Sequence, residues 1–276
     1  MSMAICETAS HRHVESPKTM ADIDSWHINV ADQSMLIDRI LGDVRIGQGG
    51  TVFTVNLDHL AKLRRDEAFR QAYGRARYVS ADGMPVVMLA RAEGAPIERV
   101  TGADLVEPLC RSAAMARIPV YFFGTKPEIL ERAIERLRRR VPDLLVAGCE
   151  APAMGFDPRG PTAAEAARRI VASGAGICFV ALGAPKQELF ADFAAGETEG
   201  VTWLGIGAAL DFIAGSRTRA PRLFQVTGLE WLWRAAQEPR RLIPRYLASA
   251  GWLLGYLARA LLGERTPSQS RSGRSD

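Results

Sequence analysis

The chain has 276 residues, of which 47% are hydrophobic, and it carries a formal net charge of +4. A chain of this length and apolar content can bury a large core, so we expect one large domain with or without a smaller addition. Its four cysteines are far apart and form no CxxC pair, which argues against a disulfide framework or a zinc site and indicates a reducing compartment.

The amino-terminal segment, residues 1–24, is predicted to be a disordered leader. Its first residues are polar and contain no apolar run, which argues against a secretory signal peptide. Asp22 and Asp24 have the spacing of a metal-binding acidic pair, but they precede the first core strand, so we expect them at the surface. No uncharged apolar stretch of about 20 residues occurs, so no membrane span is expected.

Strand and helix patterns alternate over residues 25–215, which we assign to an α/β catalytic domain. Helical spacing is clear at Leu36 and Ile40. Thr125 is expected to cap one later helix, and Thr162 with Glu165 forms a capping box for another. The alternation predicts an α/β fold with a mainly parallel, Rossmann-like sheet flanked by helices. Strands are predicted at 25–30, 50–56, 77–80, 118–123, 144–149, 177–182 and 201–206.

The carboxyl-terminal end differs from the rest in charge and pattern. Residues 217–276 contain eleven arginines, no lysine and four acidic residues, and three of the five tryptophans lie there. We predict that residues 216–263 form a basic, tryptophan-containing helical appendage and that residues 264–276 are a disordered tail.

The appendage suits a membrane surface better than a membrane interior. The apolar stretch from Leu242 to Leu262 contains Arg245 and Arg259, whose desolvation favours an interfacial helix over a span. Arginines suit anionic lipid and tryptophans suit the headgroup level. An oligomer interface and nucleic acid are the alternatives, but no nucleic-acid module accompanies the arginines, so no nucleic-acid partner is expected. The residues assigned to docking are Trp231, Trp233, Arg234, Arg240, Arg241, Arg245 and Trp252.

Polar or glycine residues follow several predicted strands directly, at Asn56, Asp82, Gly183–Gln187 and Gly207. By itself, Asp82 before Gly83 is typical of a turn aspartate that bonds its own backbone. In a parallel sheet, however, the carboxyl ends of the strands share one edge, where open α/β sheets bind their ligands. This shared position makes a functional role the better interpretation of Asp82.

Neither a dinucleotide nor a metal is expected. The stretch Gly205–Leu210 opens like the glycine-rich dinucleotide turn, but Leu210 stands where that motif has Gly or Ala. Nothing resembles a P-loop. His11, His13, His27 and His59 show no ligand spacing suited to a site shared with a carboxylate, and His59 is predicted to be structural or solvated.

Several short motifs follow one another along the chain. They are Thr54–Asn56, Ala81–Met84, Arg99–Leu105, Gly183–Glu188, Gly205–Gly207, Asp211, Phe212, Arg219–Pro221, Gly228–Trp231, Glu238–Leu242, Arg245 and Tyr246. Taken in this order, the motifs resemble the WecG/TagA/CpsF family of bacterial glycosyltransferases over roughly residues 25–262. Ala81 stands where Pro is frequent in the family and Phe190 where Trp is, and neither change removes a reactive group.

The resemblance implies an inverting, metal-independent transfer of a sugar from a UDP-sugar to a polyprenyl-diphosphate-linked sugar, for cell-surface polysaccharide. It also implies a cytoplasmic protein that is peripheral on the inner face of the plasma membrane, with no cofactor. N-acetylmannosamine is the default sugar, and a glucosyl-type transfer is the alternative.

The resemblance also suggests roles for individual residues. Asp82 is expected to be the general base. The expected substrate-binding residues are Thr54, Asn56, Asp104, Gly183, Lys186, Gln187 and Gly207, with Arg99, Arg217, Arg219 and Arg222 as candidates for the diphosphate. Two other functions are open: an NAD-dependent sugar-nucleotide oxidoreductase or epimerase, and a non-enzymatic binding protein. A homo-oligomer is possible.

Overall fold

The computed structural model describes residues 19–221, 224, 227, 230–237 and 239–262. The strands are β1 (Ala21–Ile23), β2 (Trp26–Ile28), β3 (Gly50–Val55), β4 (Tyr78–Ala81), β5 (Val120–Gly124), β6 (Val146–Glu150), β7 (Ile177–Ala181) and β8 (Thr202–Gly205). The helices are α1 (Gln33–Arg45), α2 (Leu57–Leu63), α3 (Glu67–Gly74), α4 (Met84–Ala92), α5 (Gly102–Met115), α6 (Pro127–Arg140), α7 (Pro161–Ala172), α8 (Lys186–Glu197), α9 (Ala209–Ala214), α10 (Glu230–Gln237) and α11 (Pro239–Leu261).

Some sequence predictions fall outside these residues. They are the first 18 residues of the predicted leader, the predicted tail at 264–276 and Arg222. The side chains of Arg234 and Arg241 also lie outside the part of the chain that the structure describes.

The centre of the molecule is a six-stranded sheet with the strand order β4-β3-β8-β7-β5-β6, and every pairing in it is parallel. The predicted α/β class with a parallel sheet is therefore confirmed. Because parallel strands are joined by crossover connections, their carboxyl ends all lie at one edge, called here the carboxyl edge.

Helices cover both faces of the sheet because its strands are apolar on both sides. All five residues of β7 are buried, as are all five of β5. Helices α2, α3, α7 and α8 pack on one face, whereas α1, α5, α6 and α9 pack on the other. Phe53 and Phe179 are fully buried, and each such side chain contributes about 1.5–3 kcal/mol to stability.

Two of the predicted helix caps are wrong. Helix α6 has Lys126 as its N-cap residue, and Thr125 lies outside it with a left-handed φ of 54°. Helix α7 begins at Pro161 after Gly160, so Thr162 lies inside its first turn and not at its cap. In both helices a proline occupies the first turn, where its missing N–H costs nothing, and this moves the start of the helix.

The predicted leader ends too late. Strand β1 lies inside residues 1–24 and pairs antiparallel with β2, and its Ala21 and Ile23 are buried in the core. Asp22 is half exposed beside His27, as predicted for a surface residue. Asp24 is not at the surface, because its side chain is only 5% exposed and accepts hydrogen bonds from Arg64 and Trp252.

The long helix α11 is fastened to the α/β core. It packs against α2, and Trp252 is buried in the same apolar cluster as Phe53. Tyr256 also donates a hydrogen bond of 2.7 Å to Glu93. Within the described residues, no helix combines the length and the apolar character needed to cross a bilayer.

Candidate active site at the carboxyl edge

Asp82 lies directly after β4, at the carboxyl edge. Its backbone N–H donates to the carbonyl of Val55 at 2.8 Å, which continues the β3–β4 ladder by one residue. Gly83 follows with a φ of 103°, a conformation that favours glycine, and Pro85 lies in the first turn of α4. The half-buried Asp82 carboxylate is thus held where the chain leaves the sheet.

The neighbouring strand β3 brings two further predicted residues to the same place. The hydroxyl of Thr54 donates to the carboxylate of Asp82 over 3.4 Å. Asn56 follows β3, and its side-chain oxygen accepts from the backbone N–H of His59 at 3.0 Å, which caps α2. Because this cap uses the amide oxygen, the amide nitrogen is the end of Asn56 that suits a ligand.

A buried hydrogen-bond network stabilises the carboxyl end of β3. His59 Nδ1 lies 2.8 Å from both the carbonyl oxygen of Thr54 and the hydroxyl of Tyr73, and that hydroxyl donates to the same carbonyl at 2.9 Å. Burial lowers the pKa of His59 to about 4 and raises that of Tyr73 well above its usual value, so both are neutral near pH 7. His59 is therefore structural, one of the two roles predicted for it.

Gln187 links the ends of β7 and β8. It lies in the first turn of α8 and is 3% exposed, and its side-chain oxygen accepts from the backbone N–H of Gly207 at 2.9 Å. The carbonyl of Gly183, a residue with a φ of 73°, accepts from the N–H of Gln187. Lys186 is exposed and donates to the carbonyl of Phe156 at 3.2 Å, so its amine points along the surface and not into this link.

Sequence reasoning assigned no role to Glu188, although it lies within the quoted motif. Its side chain accepts from Gln187 Nε2 at 2.8 Å and is almost fully buried. Burial raises the pKa of Glu188 to about 7, against the opposing effect of that hydrogen bond. No local feature of the sequence indicates that Glu188 is buried, because its burial depends on helices from distant parts of the chain.

Three of the four arginines predicted to bind the diphosphate lie within the described residues, and each is beside an acidic residue. Asp104 accepts from Arg219 at 2.6 Å and from Arg99 at 3.0 Å, and Thr101 also donates to it. Burial raises the pKa of Asp104, but these contacts outweigh it and lower the pKa below its usual value. Arg217 lies 3.5 Å from Asp211. The structure therefore brings Arg99 and Arg219 together and holds Arg217 at a neighbouring carboxylate.

A groove of about 460 Å³ opens between α2, the loop at Ala184 and α11. Asp58 lies in it, paired with Lys62 of its own helix and with Arg245 of α11. Burial raises the pKa of Asp58, but the two cations more than offset this and bring it down to about 2. The groove thus joins the appendage to the carboxyl edge through a charged contact.

The residues assigned to membrane docking whose side chains the structure describes differ in exposure. Trp231, 46% exposed, and Arg240 lie at the surface. Trp252 is buried and Arg245 is half-buried, and their bonds to Asp24 and Asp58 fasten α11 to the core. Trp233 is half-buried and packs against Phe224 at 5.7 Å between ring centres.

Sequence reasoning predicted an interfacial helix over Leu242–Leu262 but named none of the apolar residues on the exposed side of α11. Leu247, Leu254 and Leu261 are 69%, 69% and 88% exposed, and their spacing of seven places them on one side of the helix. Ile243 and Leu257 extend the same stripe. Leu242, Ser249 and Trp252 are buried on the opposite side. This exposed apolar stripe, Ile243 to Leu261, is the kind of surface that marks a contact with a membrane or another protein.

Residues 21–267 match the Glycosyl transferase WecG/TagA/CpsF family. The chain belongs to this family. Membership of the WecG/TagA/CpsF family makes the protein a glycosyltransferase, which acts on a sugar donor and an acceptor. The resemblance inferred from the sequence is confirmed, and the match extends almost to the end of the chain.

Family membership also argues against the two alternative functions. A glycosyltransferase of the WecG/TagA/CpsF type is an enzyme, so the non-enzymatic function is not supported, and neither is an NAD-dependent oxidoreductase or epimerase. Among the described residues, no group of three or more His, Cys, Asp and Glu side chains is arranged to hold a metal ion.

Proposed function

We propose that the protein is an inverting, metal-independent glycosyltransferase that moves a hexose or N-acetylhexosamine from a UDP-sugar to a polyprenyl-diphosphate-linked sugar. The observation that carries this is the meeting of Asp82, Thr54 and Asn56 at the carboxyl edge, next to the Gln187–Gly207 link. N-acetylmannosamine is the default sugar, with a glucosyl-type transfer second. The product would enter a cell-surface polysaccharide.

The proposed chemistry is a single displacement. The acceptor hydroxyl oxygen forms a bond to the anomeric carbon while the bond from that carbon to the UDP oxygen breaks, so the configuration at the carbon inverts. Asp82 takes the proton of the hydroxyl as general base, and UDP departs with the bonding electron pair. The half-buried position of Asp82, beside the hydroxyl of Thr54, favours an oriented carboxylate over a freely rotating one.

The leaving diphosphate needs positive charge in place before the reaction. Arg99 and Arg219, oriented by Asp104, supply two guanidinium groups whose donors match phosphate oxygens. Arg217 is a third candidate at the neighbouring Asp211. We expect the diphosphate to share or replace these carboxylate contacts, since electrostatic stabilisation of a leaving group is most effective when the donors are preorganised.

The acceptor carries a long lipid, so the enzyme must work at a bilayer. We propose that the exposed apolar stripe of α11 and Trp231 enter the interface on the inner face of the plasma membrane. Arg240, exposed at the start of α11, would contact anionic headgroups. This arrangement supports peripheral binding, with the groove beside Arg245 close to the emerging acceptor.

The test is a screen of UDP-sugars against a short-chain lipid-diphosphate sugar, with product detected by mass spectrometry. One UDP-sugar should add a single sugar, and turnover should be unchanged in EDTA. A simpler second test measures the thermal unfolding temperature in the presence of UDP and in the presence of NAD. A protein stabilised by NAD but by no UDP compound would contradict the proposal.

A further inference from the structure

Two consecutive buried polar side chains lie under the carboxyl edge where α8 begins. Gln187 is 3% exposed and Glu188 is 1% exposed, although both follow a loop at the surface. Polar groups are rarely buried this far without hydrogen bonds that compensate for lost water. The hydrogen bonds of Gln187 and Glu188 therefore indicate the role of these two side chains.

The two side chains and Gly207 form a directed chain of hydrogen bonds. The backbone N–H of Gly207 donates to Gln187 Oε1 at 2.9 Å, and Gln187 Nε2 donates to Glu188 Oε1 at 2.8 Å. An ionised carboxylate can only accept, so Glu188 selects the nitrogen end of the amide and turns its oxygen toward Gly207. Gly205 makes room for the amide, because a Cβ at that position would lie 3.0 Å from Gln187 Nε2.

Packing alone does not explain an acid at this position. The second oxygen of Glu188 is buried and accepts no hydrogen bond from the residues that the structure describes. An apolar side chain of similar volume would avoid this desolvation cost. Lys62 and Asp58 on α2 act on its charge, and burial together with the Glu188 charge raises the pKa of Tyr73 on α3. Asp192, further along α8, pairs instead with Arg75 and Arg159.

We infer that Glu188 is a positioning residue, whose carboxylate orients the Gln187 amide and thereby fixes the Gly207 turn at the sugar-nucleotide site. The inference rests on the proposed function. Gly207 follows β8, the strand next to β3, so its turn lies beside the strand end that carries Asn56. Glu188 touches no reacting atom; it acts through Gln187.

The experiment compares Glu188→Met with the full-length wild type. Methionine fills the space but accepts no hydrogen bond from the amide. We expect the KM for the UDP-sugar and the Kd for UDP to rise roughly tenfold, as for one lost hydrogen bond, with kcat changed less than about twofold. Hydrogen exchange at the Gly207 amide should accelerate by a similar factor, because this donor loses its oriented acceptor.

A second experiment compares the pH dependence of UDP binding in the wild type and in Glu188→Gln. As the pH falls from about 8 to about 6, wild-type Glu188 gains a proton near its pKa of about 7, and UDP binding should weaken. With Gln at this position the same titration should be flatter. The control is Asp192→Asn, which neutralises another buried acid on α8 and should leave the KM and the Gly207 exchange near wild type.

The outcomes separate this inference from the proposed function. Unchanged KM and unchanged Gly207 exchange in Glu188→Met would overturn the inference, and so would a loss of kcat with KM unaltered. If no UDP-sugar is turned over by the wild type, the proposed function fails, while the exchange rate of Gly207 still decides whether Glu188 orients the turn.

Discussion

At the scale of single residues, the carboxylate of Asp82 is the group on which the proposed chemistry depends. Asp82→Asn keeps the shape, and its amide oxygen can still accept a hydrogen bond from Thr54, but the base is removed. We expect kcat to fall by about 100-fold or more, the usual contribution of a general base, with little change in the Kd for UDP. Steady-state kinetics with calorimetry of UDP binding measures both. Retained turnover in this variant would assign the base elsewhere.

Two buried titratable groups should change the free energy of unfolding in opposite directions as the pH rises. The pKa of Glu188 is raised to about 7, so its contribution is present at acid pH and is lost as the pH rises through about 7. The pKa of His59 is lowered to about 4, so its contribution is present above its unfolded pKa of 6.5 and is lost as the pH falls toward 4. Between about pH 4.5 and 6.5 the two slopes oppose each other.

Glu188→Gln removes the contribution of Glu188, so the pH dependence of stability that is due to His59 should become visible. Over about pH 4.5 to 6.5, the free energy of unfolding of the variant should rise with pH more steeply than that of the wild type, by about 1.4 kcal/mol per pH unit. Urea unfolding at three pH values measures this difference, and groups common to both proteins cancel. Parallel pH dependences would mean that Glu188 has an ordinary pKa in the folded state.

At the scale of elements, α11 has two functional sides. One side binds the core through Arg245, Trp252 and Tyr256, and the other exposes the leucine stripe. An interfacial helix needs this division, since one side must stay on the protein while the other enters lipid. Of the three tryptophans that the sequence suggested for the membrane, Trp252 serves the protein side.

The leucine stripe predicts a specific loss of membrane affinity. Leu247→Gln combined with Leu254→Gln should weaken binding to phosphatidylglycerol vesicles by at least about tenfold, because each buried leucine contributes about 1.5–3 kcal/mol. Vesicle co-sedimentation measures the effect. Met115→Gln is the matched control, since Met115 is 88% exposed on α5. Unchanged vesicle binding with a change in oligomeric state would assign the stripe to a second copy of the chain.

At the scale of the whole molecule, the sheet and its two apolar layers are nearly complete without the appendage. Of the residues after 220, only Leu242, Ser249 and Trp252 are buried among those the structure describes. A chain ending at Ser216 should therefore fold, with its far-ultraviolet circular dichroism preserved, but should bind vesicles weakly and lose activity toward a lipid-linked acceptor. Full activity of this truncated chain would contradict the docking role.

The parallel sheet and its carboxyl edge followed from the sequence alone. Continuous apolar runs such as Ile177–Ala181 indicate strands that are covered on both faces, and the alternation of strand and helix patterns indicates parallel strands joined by helices. Once the strands are parallel, residues that directly follow them share an edge. For this reason Asp82 and Asn56 were predictable as neighbours although β3 and β4 are separated by two helices, whereas Thr54 was suggested only by the family resemblance.

Only the tertiary structure decided which side of α11 faces the protein and which acids are buried. Asp24 contacts Trp252, and Asp58 contacts Arg245, so each pair joins opposite ends of the chain. Local periodicity cannot select such partners, because α11 is apolar on both sides and its position depends on the charges of Asp24, in the turn after β1, and Asp58 on α2. Glu188 is the same case: a charged residue at a helix start is ordinarily solvated, and here the packing of α3, α7 and the sheet against α8 removes the water.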